Sequence, residues 1–71
     1  MYGKVTHYFR RKGYGFIHGD DGNTYFIRRG NQNGEYLASG YLVRFKPFQN
    51  DRNDYNAGDI TVIEAPERRK R

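Results

Sequence analysis

The sequence has no cysteine and no tryptophan, and it contains a single methionine and two prolines. Without cysteine there is neither a disulfide nor a thiolate metal site, so burial of apolar side chains must stabilise the fold. No segment approaches the ~20 apolar residues needed to cross a bilayer, and Met1-Tyr2-Gly3-Lys4 lacks the apolar core of a signal peptide. We therefore expect a cytoplasmic protein with no membrane association.

Residues suited to catalysis or metal binding are scarce. The only serine, Ser39, lies in a polar segment, and the tandem Asp20-Asp21 is better explained by a turn than by acid-base chemistry. His7 and His18 are the only histidines, and no third ligand follows at a recognisable spacing. The sequence predicts neither an enzyme nor a metal or cofactor site.

The chain has 71 residues, which fits one domain with a marginal core. Its net charge is +5, but residues 68 to 71 are all basic, and residues 1 to 67 carry nine basic and eight acidic side chains. The placement of charge, not its total, must therefore indicate function. We expect one domain over residues 1 to 64 and a basic, disordered tail over residues 65 to 71. For residues 67 to 71 a solubilising role, a linker and a cut end all remain open.

Aromatic side chains are abundant for so short a chain. Seven tyrosines and five phenylalanines exceed the number that a core of this size can bury. Some of these rings must face solvent.

Alternation and turn signals predict an all-β fold, and helical periodicity appears nowhere in the sequence. We expect strands at residues 2 to 10, 13 to 19, 24 to 28, 41 to 48 and 60 to 63. The Asp-Gly step in residues 20 to 23 favours a tight hairpin between the second and third strands. Five short strands bury one face best by closing on themselves, which predicts a small antiparallel five-stranded β-barrel.

Two features between the strands carry further expectations. The polar segment 29 to 40 contains a short apolar patch, and Leu37 is its candidate core residue. Pro47 cannot donate to a β-ladder, so the end of the fourth strand is expected to be exposed at a sheet edge.

The motif Lys12-Gly13-Tyr14-Gly15-Phe16-Ile17 places two rings on one strand face, and the glycines are expected to leave those rings uncovered. Phe26 on the hairpin partner would lie beside them, and His7 would extend the stacking surface. Arg10, Arg11 and Lys12 precede the rings and Arg28 and Arg29 follow them, whereas the aspartates fall in other segments. Rings for bases and cations for phosphates together favour nucleic-acid binding.

These residues also resemble a known family. The motif around Lys12 is similar to the ribonucleoprotein motif of cold-shock domains, and the family's V-F-V-H motif aligns with Tyr25-Phe26-Ile27-Arg28. Gly3-Lys4-Val5 and Ile60-Thr61-Val62-Ile63 match as well, so the resemblance spans roughly residues 3 to 63. It implies an oligonucleotide-binding-type (OB-type) barrel that binds single-stranded RNA or DNA. Carried over by position, it implies these site residues: Tyr8, Lys12, Tyr14, Phe16 and Phe26.

The chain departs from the family pattern at three positions. His7 stands where the family has tryptophan, and Arg28 and Arg29 stand where it has histidine and phenylalanine. Stacking area is lost and positive charge is gained, although an arginine can both stack and meet a phosphate. The resemblance implies a divergent member with altered binding.

We therefore expect a monomer that binds single-stranded RNA or DNA with low sequence specificity and acts as an RNA chaperone. The main alternative is a protein-interaction barrel, for which the departures at His7, Arg28 and Arg29 would record the loss of nucleic-acid binding. Plainer interpretations also remain open at this point. The rings fit ordinary cross-strand pairs, the glycines fit a bulge or barrel corner, and the basic cluster fits a solvated charge run.

Overall fold

A computed structural model gives the fold, and it describes residues 1–66 of the chain. The strands are β1 (Tyr2–Phe9), β2 (Tyr14–Gly19), β3 (Thr24–Arg28), β4 (Leu42–Phe48) and β5 (Asn56–Glu64). A 3-10 turn at Arg29–Asn31 is the only helix in this part of the chain, and three residues cannot span a bilayer. The expected all-β fold is confirmed. The predicted tail lies outside the described residues, apart from the exposed Ala65 and Pro66.

The five strands form a closed barrel in the order β1-β2-β3-β5-β4. The predicted barrel is confirmed, but one pair corrects the prediction of a purely antiparallel sheet. β3 and β5 are parallel, with Phe26 opposite Asn56 and Ile27 opposite Ala57. The reason is parity: an odd number of strands cannot alternate in direction around a closed ring, so one neighbouring pair must be parallel.

The core lies inside this ring and is formed by the inward residues of all five strands. The segment between β3 and β4 adds Leu37, which is 1% exposed, so its predicted core position is confirmed. The segment thereby contributes one side chain to the core. The buried apolar residues are Val5, Ile17, Tyr25, Ile27, Leu37, Val43, Phe45, Ala57 and Ile60.

The hairpin between β2 and β3 turns where the sequence predicts. Gly22 has a φ of 90°, and the amide of Gly19 donates to the carbonyl of Asn23 at 2.8 Å. The Asp21 carboxylate accepts hydrogen bonds from the Asn23 amide at 3.0 Å and from the Tyr25 hydroxyl at 2.6 Å. Because the Tyr25 hydroxyl stabilises the carboxylate, the pKa of Asp21 is lowered, and the same bond raises the pKa of Tyr25. The turn is thus fastened to a ring in the core.

The strand ends differ from prediction mainly at β5, which begins at Asn56 instead of residue 60. Asn56 is buried, and its amide donates to the carbonyls of Phe48 and Asn53 at 3.2 and 3.0 Å. Asparagine, glycine and aspartate are poor strand formers, so composition conceals this half of the strand. The end of β4 is exposed as expected, because Pro47 and Phe48 pair with β5 and not with β1.

Candidate nucleic-acid interface

A β-bulge in β1 decides which of its aromatic residues face outward. Val5 lies opposite Ile17, but His7 lies opposite Phe16, so Thr6 is one extra residue on this strand. A bulge of one residue reverses the facing of every side chain that follows it. His7 and Phe9 therefore point outward with the rings of β2, whereas Tyr8 turns towards the core.

Five rings cover the outer face of β1, β2 and β3, and we call them the aromatic platform. Tyr14 is stacked with Phe26 at 5.8 Å between ring centroids, and Phe16 meets Phe26 at 5.7 Å. Phe9 connects His7 on β1 to the rings on β2 and β3. Its ring centroid is 5.2 Å from that of Tyr14 and 5.9 Å from that of His7, whose ring is parallel to it. The structure thus brings together four of the predicted site residues and adds one. The platform consists of His7, Phe9, Tyr14, Phe16 and Phe26.

Tyr8, which the family resemblance implies as a site residue, is not part of this platform. It is partly buried and packs against the core, and its hydroxyl donates to the side-chain oxygen of Gln32. Gln32 is itself buried, and its amide donates to the carbonyl of Glu35 at 2.7 Å. In this position Tyr8 fastens the segment between β3 and β4 to the barrel.

Phe9 is the one platform ring that was not predicted from the sequence. Its side chain is 42% exposed in the structure. An unbroken strand with Val5 inward would also turn His7 and Phe9 inward. The one available signal was the polar His7 two residues after Val5, which indicates a change of phase between them.

The glycines of the motif serve packing. Gly15 is buried on the face opposite the rings, so the expectation that it uncovers them is wrong. A β-carbon there would lie 2.7 Å from Cδ1 of Tyr8 and 2.9 Å from its Cα. Gly15 is therefore required by the close approach of β1 and β2 at the bulge. Gly13 has a φ of 76°, which favours glycine in the turn before β2.

Three cations gather at the end of the platform where β2 begins and β3 ends. Lys12, Arg28 and Arg29 line a pocket of about 290 Å³, which we call the cationic pocket. Its remaining lining residues are Gly13, Tyr14, Phe26 and Gly30.

Two of these cations are held in place by the backbone around them, Arg28 by strand β3 and Arg29 by the turn before β2. Arg28 is exposed on the outer face directly opposite Tyr14. Arg29 packs its guanidinium against Gly13 and donates to the carbonyl of Arg10 at 3.0 Å. All three predicted cations of the pocket therefore lie beside the platform.

The other two predicted cations behave differently from these three. The guanidinium of Arg10 lies over the ring of Tyr36, 4.5 Å from its centroid, and both terminal nitrogens contact the Tyr36 hydroxyl. Arg10 is therefore engaged within the protein. Arg11 is exposed in the turn between β1 and β2 and does not line the cationic pocket.

The opposite end of the platform is acidic, which corrects the expectation that the aspartates lie away from the rings. A groove of about 420 Å³ runs between the rings of Phe16 and Phe26 and the loop 49–55, and its charged lining residues are Asp51, Asp54 and Arg52. The loop is held there because the amide of Phe26 donates to the carbonyl of Tyr55 at 3.1 Å. The formal charge of the lining residues thus changes from +3 in the cationic pocket to −1 in this groove, where Arg52 offsets one of the two aspartates.

Comparison with protein-family models and with curated proteins finds no match to this chain. The resemblance to cold-shock domains therefore rests on the motif residues alone. What the structure adds to it is a closed five-stranded barrel with the motif rings on its outer face.

Proposed function

We propose that this barrel is a divergent member of the cold-shock family that binds single-stranded nucleic acid, RNA or DNA, with low sequence specificity. The observation that carries the proposal is the aromatic platform, five neighbouring rings on one outer face with three cations at its end. Unpaired bases stack on such rings, and stacking does not discriminate strongly among bases because each base has a π face.

The free energy of binding requires both the aromatic platform and the cations beside it. Each stacked base contributes about 1–3 kcal/mol, whereas a micromolar complex needs about 8 kcal/mol in net free energy. Two or three stacks reach that value only with the help of phosphate contacts, since association also costs conformational and rotational entropy. Lys12, Arg28 and Arg29 are placed to supply those contacts.

A protein that stacks unpaired bases stabilises the open form of a hairpin relative to the paired one. We therefore propose that the protein acts as an RNA chaperone by holding strands unpaired. A duplex hides the faces of its bases, so the platform favours single strands.

One observation favours the alternative, a protein-interaction barrel. Asp51 and Asp54 outnumber Arg52 in the groove beside Phe16 and Phe26, and this excess of carboxylate disfavours phosphates and would attract a basic protein segment. The two functions differ in their response to salt, to duplex formation and to removal of the rings.

The test is fluorescence anisotropy with labelled single strands of about seven nucleotides and matched duplexes, in a series of salt concentrations. We expect single strands to bind more tightly than duplexes, with an affinity that falls by a log-log slope of about 0.7 per neutralised phosphate. Absence of binding at low salt would contradict the proposal and favour the protein partner.

A set of variants connects binding to the platform. The combined change of Tyr14, Phe16 and Phe26 to alanine should abolish binding in a protein whose circular dichroism remains that of a folded barrel. Tyr2→Ala is the control, because Tyr2 is an exposed ring on the side of the barrel where β1 pairs with β4. Unchanged affinity in the folded triple variant would remove the platform from the proposal.

A further inference from the structure

The cationic pocket concentrates more positive charge than the single negative charge of one internal phosphodiester can neutralise. Lys12, Arg28 and Arg29 line it, and no acidic residue does. The one ion pair among residues 1–66 joins Lys46 and Asp59, so no carboxylate neutralises these three cations in the described part of the chain. An internal phosphodiester brings a single negative charge and two terminal oxygens to such a site.

The pocket is also partly preorganised. The guanidinium of Arg29 is held by its bond to the Arg10 carbonyl at 3.0 Å and by packing against Gly13. Arg28 is fixed in direction by its place in β3 opposite Tyr14. Arginines presented in this way bind phosphate oxygens through two parallel donors.

We propose that the cationic pocket holds a terminal phosphomonoester, the phosphorylated end of a nucleic-acid strand. A phosphomonoester has three terminal oxygens and a charge of about −1.5 to −2 at neutral pH, which matches three cationic donors better than a diester does. The inference rests on the proposed function, because it assigns the end of the same strand whose bases stack on the platform.

The position of the pocket supports a strand end over a strand interior. Tyr14 and Arg28 form the first row of the β2–β3 ladder, Phe16 and Phe26 form the next row, and His18 and Thr24 follow. A strand anchored at the first row passes over the rings towards Asp51 and Asp54. Its phosphates meet three cations and no carboxylate in the pocket, whereas Asp51 and Asp54 outnumber Arg52 in the groove at the other end. The charges therefore favour the orientation with the phosphorylated end in the pocket.

The experiment compares unlabelled competitors of one sequence, about seven nucleotides long, that carry a 5′-phosphate, a 3′-phosphate or hydroxyls at both ends. We expect one of the two phosphorylated strands to bind about tenfold or more tightly than the dihydroxyl strand, the gain of one charge-assisted hydrogen bond. The gain should shrink as the pH falls below about 6, where the monoester dianion takes up one proton and keeps a single negative charge. Equal affinity of all three strands would overturn the inference while leaving the proposed function intact.

Variants assign the gain to the pocket. Lys12→Gln, Arg28→Gln and Arg29→Gln should each reduce the ratio between phosphorylated and dihydroxyl strands, whereas Arg44→Gln, on the side of the barrel where β4 pairs with β1, should preserve it. A gain that survives all three pocket variants would also overturn the inference.

A nucleoside monophosphate and its parent nucleoside form a separate pair of probes, read by NMR shifts of backbone amides. If no strand binds but the monophosphate shifts amides around Gly13 and Gly30, the pocket stands and the proposed function fails. If neither strands nor monophosphate bind, both fail.

Discussion

The guanidinium of Arg10 lies over the ring of Tyr36, 4.5 Å from its centroid, and its two terminal nitrogens are 2.9 and 2.8 Å from the Tyr36 hydroxyl. The contact joins the end of β1 to the segment that carries the buried Leu37. Arg10→Ala should therefore lower the free energy of unfolding by about 0.5–1 kcal/mol, the range for an exposed cation–π pair. Urea denaturation measures this change.

Arg11→Ala is the matched control, because Arg11 is an exposed arginine in the adjacent turn. We expect its stability to stay within about 0.5 kcal/mol of the parent protein. The engaged position of Arg10 also predicts that Arg10→Gln leaves the salt slope of oligonucleotide binding unchanged, whereas Lys12→Gln lowers it. Equal slopes for both variants would contradict this division of roles.

Phe9 and Tyr8 are neighbours with opposite predicted effects. Phe9→Ala should weaken oligonucleotide binding by about 1–3 kcal/mol, the value of one stacked base. Tyr8→Phe should leave binding unchanged but lower stability by about 1–3 kcal/mol, because the side-chain oxygen of buried Gln32 loses its donor. Anisotropy measures the binding and urea denaturation the stability of both variants. If Tyr8→Phe weakened binding and Phe9→Ala left it unchanged, the outward facing of Phe9 would be contradicted.

Much of the fold follows from the sequence in physical terms. Alternation placed β3 correctly, the Asp-Gly step placed its hairpin, and Leu37 stood out as the strongest apolar residue in a polar segment. The parallel pairing of β3 and β5 was also within reach, because it follows from closing a ring of five strands. Sequence patterns describe single strands, and the ring closure that fixes this pair is a property of all five.

The site was harder to predict because two of its features are tertiary. The bulge at Thr6 puts Phe9, and not Tyr8, on the outer face of β1. Transferring site residues one by one from a family motif does not reveal which way an adjacent side chain points. The loop with Asp51 and Asp54 is distant from the motif in sequence, and a backbone hydrogen bond from Phe26 to Tyr55 brings it beside the rings. Separation of these aspartates from the motif along the chain therefore did not become separation from the rings in space.

The bond between Asp21 and Tyr25 predicts a dependence of stability on pH. The pKa of Asp21 is lowered, chiefly by the Tyr25 hydroxyl, so its contribution is present above the unfolded-state value of about 3.9 and is lost as the pH falls through the folded value. The pKa of Tyr25 is raised, so its contribution is complete below about 10 and is lost as the pH rises through the folded value.

Thermal unfolding at several pH values tests this bond. Between about pH 5 and pH 2.5 the parent protein should lose more stability than Asp21→Asn, which has no carboxylate to protonate. Tyr25→Phe keeps the core ring but removes the hydroxyl, so it should reduce the dependence on pH at both extremes. A parent protein and an Asp21→Asn variant with parallel acid profiles would contradict the assignment.

Substituting alanine at Gly15 and at Gly30 should change the free energy of unfolding in opposite directions. The comparison tests the packing of β1 on β2. A β-carbon at Gly15 meets the backbone of His7 and Tyr8, which cannot move aside cheaply, whereas one at Gly30 meets nothing within 4 Å. Gly15→Ala should therefore lower the free energy of unfolding by about 1–3 kcal/mol, as overpacking does. Gly30→Ala should raise it by about 0.4–1 kcal/mol, because alanine reduces the entropy of the unfolded chain without strain in the folded one. Equal effects of the two changes in urea denaturation would mean that β1 and β2 are not in close contact at Gly15, and the outward facing of His7 and Phe9, which depends on the adjacent bulge, would lose its support.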